Sequence, residues 1–378
     1  MQIRLCCVVN LLLFVSSLEA GEIAEALQPY VERQELAGAV MLVADREHVI
    51  YEDTVGWADI DGQRPMAANS MFWIASQSKP ITAAAFMMLV DEGKVRLDDP
   101  VENYLPEFRG QMVLVEADKE HRLLKRPRHP ITVREVLSHT SGLPFQSALE
   151  EPTLDLYPLA ARVRSYAMTP LEFEPGTKYQ YSNAGINTAA RILEVVSGMA
   201  YEQFLHERLF DPLSMKDTTF WPNEEQVRRI AKSYRPTGNS GGLTALEITQ
   251  LFYPLTDRQS RFPMPAGGLF STARDVARFY QMLLNGGELE GHRYLSKEVV
   301  EQLTTRQTPM DLPQSYGLGF SVTDKTFGHG GAYSTNSFAD REKDLIFIWL
   351  VQHAGFPGRG NECQALFRRQ AYEQFSQK

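Results

Sequence analysis

Ser76 and Lys79 stand three residues apart in Trp73-Ile74-Ala75-Ser76-Gln77-Ser78-Lys79-Pro80, directly ahead of the apolar run Ile81 to Val90. A lysine at the mouth of a segment apolar on every face is expensive to bury unless its charge is paired or its pKa has moved. Residues i and i+3 share a face of a helix, so the amine lies beside the serine hydroxyl. That pairing has a chemical use. A serine is a weak nucleophile until a neighbouring base takes its proton, and desolvation makes a lysine amine such a base. The helix is expected to begin near Ser76, with Pro80 in its first turn, and to stop near Gly93.

Two further stretches carry polar groups suited to the same chemistry. Tyr179-Gln180-Tyr181-Ser182-Asn183 follows Pro175-Gly176-Thr177 and immediately precedes a helical pattern, and Phe327-Gly328-His329-Gly330-Gly331-Ala332 lies on or beside an expected strand. In this order and spacing, Ser76/Lys79, Tyr181/Asn183 and His329/Gly331 resemble the motifs of the serine β-lactamase and penicillin-binding protein superfamily, in its class C β-lactamase-like branch. Leu97-Asp98-Asp99-Pro100, Leu137 to Leu143 and Gly267 to Thr272 are similar to that branch as well, so the resemblance covers nearly all of the chain.

The resemblance implies an α+β fold of the β-lactamase/transpeptidase type and an acyl-enzyme formed on Ser76. It implies that Lys79 and Tyr181 share the proton transfers as one coupled unit, which leaves the base unassigned between them. Asn183 would hold Lys79 and the substrate, and the backbone N–H groups of Ser76 and Ala332 would receive the oxyanion. His329 departs from the Lys-Thr-Gly version of the third motif. A histidine near its usual pKa is mostly neutral at pH 7, and Gly330 removes a hydroxyl, so recognition of a substrate carboxylate weakens. The expectation is therefore a serine hydrolase acting on small esters, amides or peptides. A β-lactamase or D-alanyl-D-alanine carboxypeptidase, and an acylated receptor without turnover, stay open as alternatives.

Three other residues invite chemistry and are read structurally. Gly238-Asn239-Ser240-Gly241-Gly242 matches a nucleophile-elbow pattern, but the polar, proline-broken approach Lys232 to Thr237 is no strand-to-helix turn, so a loop is expected. His139 is expected to support the site rather than act in it. Cys363, the one cysteine beyond Cys6 and Cys7, is expected in a core or helix.

The elements that position these groups follow from pattern. The chain has 378 residues, 43% hydrophobic and 22% charged, with a net charge of −9. That balance supports a full core and argues against nucleic acid as a partner. The basic stretch Lys119 to His129 lacks interleaved aromatics and reads as a solvated loop. Eight scattered histidines without ligand spacing suggest no metal, and no cofactor is implied. Arg4, the apolar run Leu5 to Ser17 and Ala20 read as a signal for export over residues 1–20, which points to the periplasm or the exterior of a bacterial cell. Ala37 to Ala44, Val49 to Trp57, Tyr316 to Val322, Lys325 to His329, Tyr333 to Ala339 and Leu345 to Gln352 read as strands. Ile81 to Leu89, Ala184 to Val196, Ala273 to Leu284, Lys297 to Leu303 and Glu362 to Phe375 read as helices. Strands at both ends predict one antiparallel sheet built from residues 21–75 and 265–378, with 76–264 forming a mainly helical lobe and the site in the cleft between them.

Overall fold

A computed structural model describes residues 21–238 and 242–376. The leader expected over residues 1–20 and the expected loop serine Ser240 lie outside the described residues. Strands β1 (Gly38–Ala44), β2 (Val49–Asp59), β3 (Arg64–Pro65), β4 (Ser321–Val322), β5 (Thr326–Gly330), β6 (Asn336–Asp340) and β7 (Leu345–Leu350) form one sheet. Its order is β4-β5-β6-β7-β1-β2-β3, and every pairing is antiparallel. The expected union of the two chain ends is the β1–β7 pair, in which Val40 faces Leu350 and Leu42 faces Ile348.

The sheet is covered on both faces, which is why β1 and β7 are apolar throughout instead of alternating. Val40, Leu42, Ile346, Ile348 and Leu350 point into the larger core, shared with helices α2 (Ser78–Asp91), α3 (Asn183–Ser197) and α4 (Ala273–Leu284). Met41, Val43, Phe347 and Trp349 point the other way, onto helices α1 (Glu22–Glu32) and α5 (Cys363–Phe375). Ile23, Leu27 and Val31 recur every four residues and form the buried stripe of α1. Cys363 is a free, buried residue of this second core, where burial pushes its thiol up to about 12.

Two expectations need correction. The stretch 316–322 is a strand only at Ser321–Val322. Gly319 has φ +75°, and a Cβ there would lie 2.9 Å from the Lys79 carbonyl and 2.7 Å from Ala83. The chain is bent over the first turn of α2 at that point, which a strand cannot do. The basic stretch 119–129 is solvated as expected, but it is no featureless loop: Val113–Ala117 and Arg122–Lys125 pair as a β-hairpin.

The long segment before α4 is anchored by a buried ion pair. Asp155 accepts from Arg261 Nε at 2.7 Å and from the Phe252 N–H at 2.9 Å, and Arg261 also donates to the Phe220 carbonyl at 3.1 Å. Both side chains are buried. Asp155→Ala is expected to destabilise the protein by about 3–5 kcal/mol, because it leaves a buried guanidinium without its counter-charge. Urea unfolding of the variant against the parent measures this.

Candidate active site

Ser76 does not sit in α2 itself. A 3₁₀ turn, Ala75–Gln77, precedes the α-helix, and Ala75 has φ +46°, a left-handed conformation uncommon for alanine. In a 3₁₀ turn residues i and i+3 eclipse, so the helix beginning two residues later than expected still sets Lys79 against Ser76. The turn is held from both sides. Ser78 Oγ donates to the Ala75 carbonyl at 2.7 Å and accepts from the Leu269 N–H at 3.2 Å.

Lys79 is fully buried, and desolvation pushes its amine well below the ordinary lysine range. Its Nζ makes three contacts: Asn183 Oδ1 at 2.8 Å, the Ala266 carbonyl at 2.7 Å and Ser76 Oγ at 3.1 Å. The chemistry of two of these partners fixes the direction of their bonds. A carbonyl and an amide oxygen only accept, so they take two N–H groups. The third contact is an N–H donated to Ser76 Oγ while the amine is charged; once the amine is neutral, the same contact is the Ser76 hydroxyl donating to its lone pair. In its neutral form the amine is thus a base already bonded to the proton it would remove.

Asn183 reaches Lys79 because it opens α3. Ser182 caps that helix, accepting from the Gly185 N–H at 3.1 Å and donating to the Pro144 carbonyl at 2.6 Å. One turn on, Asn187 accepts from the Ala266 N–H at 3.2 Å. Residues i and i+4 of α3 thus hold Lys79 and the amide of the residue whose carbonyl binds Lys79. Tyr181, just ahead of the cap, has its ring centroid 4.5 Å from Lys79 Nζ. Burial pushes its phenol well above the usual tyrosine value, opposed by a hydrogen bond with Ser76.

On the opposite side, β5 ends at Gly330, and Gly331–Ala332 follows. A Cβ on Gly331 would lie 2.4 Å from the Ile74 carbonyl and 2.3 Å from Thr335 Oγ1, so only glycine lets this turn press against the backbone entering Ser76. Ala332 opens its own 3₁₀ turn, Ala332–Ser334. The opening N–H groups of such turns lack an acceptor within the turn. The turn is strained, with Tyr333 at φ +63° and Ser334 at φ +69°. Exposed Phe145 flanks Tyr181, with ring centroids 6.3 Å apart.

His329 is brought to the site but turned inward. Nε2 meets the Tyr316 hydroxyl at 3.0 Å and Nδ1 meets the Gly330 carbonyl, so both ring nitrogens are engaged by the protein. Burial pushes its pKa down to about 3, with Lys79 adding to the effect. His139 is buried too, taking the Ser182 N–H on Nδ1 at 3.2 Å. Residues that the sequence reading missed are Asn187, the Ala266 carbonyl and Tyr316. Asn187 was findable as the i+4 neighbour of Asn183. Tyr316 gave no sign distinguishing it from a core aromatic. Among the described residues no cluster of histidine, cysteine, aspartate and glutamate could hold a metal ion.

Gly331→Ala is expected to cost about 1–3 kcal/mol by overpacking and to displace the turn beside Ser76. Thermal unfolding together with a crystal structure of the variant checks both effects.

The Beta-lactamase family model matches residues 23–370 of the chain. Protein Rv1367c of Mycobacterium tuberculosis is 34% identical over 351 residues, covering 84% of this chain and 86% of that protein. Esterase EstB of Burkholderia gladioli is 29% identical over 389 residues, covering 89% and 92%. Among solved structures, EstCE1, described as a hydrolase with promiscuous acyltransferase activity, superposes with a TM-score of 0.75 at 24% identity, over 92% of this chain and 98% of that one.

Proposed function

The chain belongs to the beta-lactamase family, and from that premise we propose that it is a serine hydrolase that forms an acyl-enzyme on Ser76 and cleaves small, uncharged esters. The observation that carries this reading is the set of contacts at Lys79, in which two obligate acceptors leave the third position of the amine to the Ser76 hydroxyl. Ser76 Oγ attacks the substrate carbonyl carbon as its proton passes to Lys79 Nζ. The oxyanion is received by the N–H groups of Ser76 and Ala332. The proton then moves through the Tyr181 hydroxyl to the leaving-group oxygen, and water releases the acyl group by the reverse path. The opposite pKa directions of Lys79 and Tyr181 support this division, with the amine as acceptor and the phenol as protonated relay.

Preference for an ester over a β-lactam or a D-alanyl-D-alanine peptide rests on the third motif. His329 offers no charge and no unused ring nitrogen to a substrate carboxylate, while Phe145 offers apolar surface beside Tyr181. The relationship to an esterase supports the same choice. We extend the proposal to organisation and location. The sheet is drawn wholly from outside residues 76–264, which supports the division into 21–75 with 265–378 and an inserted lobe. Export to the periplasm or the exterior rests on the leader pattern, and amino-terminal sequencing of the mature protein from a periplasmic fraction tests it.

Purified protein is expected to turn over p-nitrophenyl acetate and butyrate, with Ser76→Ala losing more than about a thousandfold in kcat. Intact-mass analysis should catch a transient adduct that disappears as product forms. Rapid cephalosporin turnover abolished by Ser76→Ala would overturn the ester assignment, and a permanent adduct without product would replace the enzyme by a receptor. The pH profile has a defined sign. The amine is a base only above its own pKa, so kcat/KM rises with pH through the depressed Lys79 value. It falls again only where Tyr181 loses its proton, above the ordinary tyrosine range. A profile of kcat/KM against pH on the p-nitrophenyl ester reads both limbs.

A further inference from the structure

Behind the site, three buried rings share a chain of hydrogen bonds that the reaction steps above leave unused. Tyr316 Oη lies 3.2 Å from His139 Nε2 and 3.0 Å from His329 Nε2. With both rings neutral in their buried setting, the two ends of this chain fix every proton in it. The Ser182 N–H can only donate, so His139 Nδ1 carries a lone pair and the ring proton is on Nε2. The Gly330 carbonyl can only accept, so His329 Nδ1 carries a proton, and in the neutral ring Nε2 carries the lone pair. A single hydroxyl between them satisfies both, accepting from His139 and donating to His329. The polarity therefore runs in one direction from the Ser182 amide to the Gly330 carbonyl.

We propose that Tyr316 is a positioning residue of the site, whose hydroxyl fixes His139 and His329 as neutral, opposite tautomers and so ties the loop carrying Tyr181 and Asn183 to the strand ending at Gly331. The inference rests on the acyl-enzyme reading only for its kinetic consequence; the proton pattern is independent of it. The two ends of the chain adjoin different working parts. Ser182, at the first end, stands between Tyr181 and Asn183. Gly330, at the second, directly precedes the Gly331–Ala332 turn. Packing supports the same linkage: the His139 ring centroid lies 4.6 Å from that of Tyr181 and 4.7 Å from that of Tyr316, both tilted, and Tyr179 closes the cluster 5.6 Å from Tyr316. Tyr316 is also what keeps His329 from presenting a ring nitrogen to the cleft. With the hydroxyl in place, Nε2 is an occupied acceptor; without it, that nitrogen is free to take a proton or a water.

Neutron diffraction from the resting protein at neutral pH tests the pattern without any substrate. The expected map has deuterium on His139 Nε2, on His329 Nδ1 and on Tyr316 Oη pointing at His329. A doubly protonated ring, or both histidines protonated on the same nitrogen, overturns the proposal. Tyr316→Phe, which keeps the ring and removes one oxygen, tests the consequence. Its kcat on p-nitrophenyl butyrate is expected to fall by about 10-fold to 100-fold with KM little changed, the signature of misplaced reacting groups rather than lost binding. Wild-type kcat in a folded Tyr316→Phe protein overturns it. If that variant does not fold, the neutron map alone decides. If Ser76→Ala shows Ser76 not to be the nucleophile, the tautomer pattern still stands or falls by the same map.

Discussion

The rest of the structure is organised around one buried amine. A lysine removed from water must lose its charge or find compensation, and Lys79 lies beyond the reach of solvent. Two fixed acceptors, Asn183 Oδ1 and the Ala266 carbonyl, saturate its N–H groups and leave Ser76 as the remaining partner. Neither acceptor is itself loose. Asn183 sits in a capped helix start, and the Ala266 amide is bonded to Asn187 of the same helix. Asn187 in turn donates to Glu150 at 3.2 Å, which also accepts from the Tyr166 hydroxyl at 2.6 Å. Such connected networks are rigid when every member is satisfied, and here rigidity is what aims the amine at Ser76.

Against that fixed amine, the nucleophile is held by strain and close approach. Ala75, Tyr333 and Ser334 all occupy left-handed backbone conformations, on the two segments that meet at Ser76. Each costs on the order of 1 kcal/mol and persists only where the surroundings over-determine it. The surroundings here are β5, the buried 3₁₀ turn and the aromatic pair Trp73–Tyr333, whose rings meet edge to face with centroids 5.2 Å apart. Gly331 lets the two segments touch without a side chain between them.

Much of this was legible in the sequence, and the reasons differ by residue. Ser76 and Lys79 could be placed together because a three-residue spacing on a buried element admits one arrangement. Tyr181, Asn183 and His329 could be joined to them only through a resemblance, since no local pattern reports that residues 79 and 183, or 79 and 266, will meet. The strands of the sheet were legible where both faces are buried, as in β1 and β7, because such strands read as unbroken apolar runs. The stretch 316–322 misled for the same reason: it is buried and aromatic, but Gly319 bends it over α2. Tyr316 stayed invisible because a tyrosine whose hydroxyl has two partners has the same letter as one that merely packs. Hydrogen-bond direction is a property of assembled neighbours, and sequence carries none of it.

That dependence on assembly has a consequence for how activity and folding are related. Ser76 and Lys79 come from one short segment, but the acceptors that direct the amine lie 104 and 187 residues further on, and His329 further still. No fragment holding the serine–lysine pair alone can hold the lone pair toward the hydroxyl, because an amine without its two acceptors is free to rotate or to protonate. The proton path therefore exists only when α2, the start of α3, the segment before α4 and the end of β5 are docked together. Local opening of any one of these would remove it well before the sheet and its two cores come apart, since sub-global openings cost less than global unfolding. In this architecture the site is the most demanding test of the fold.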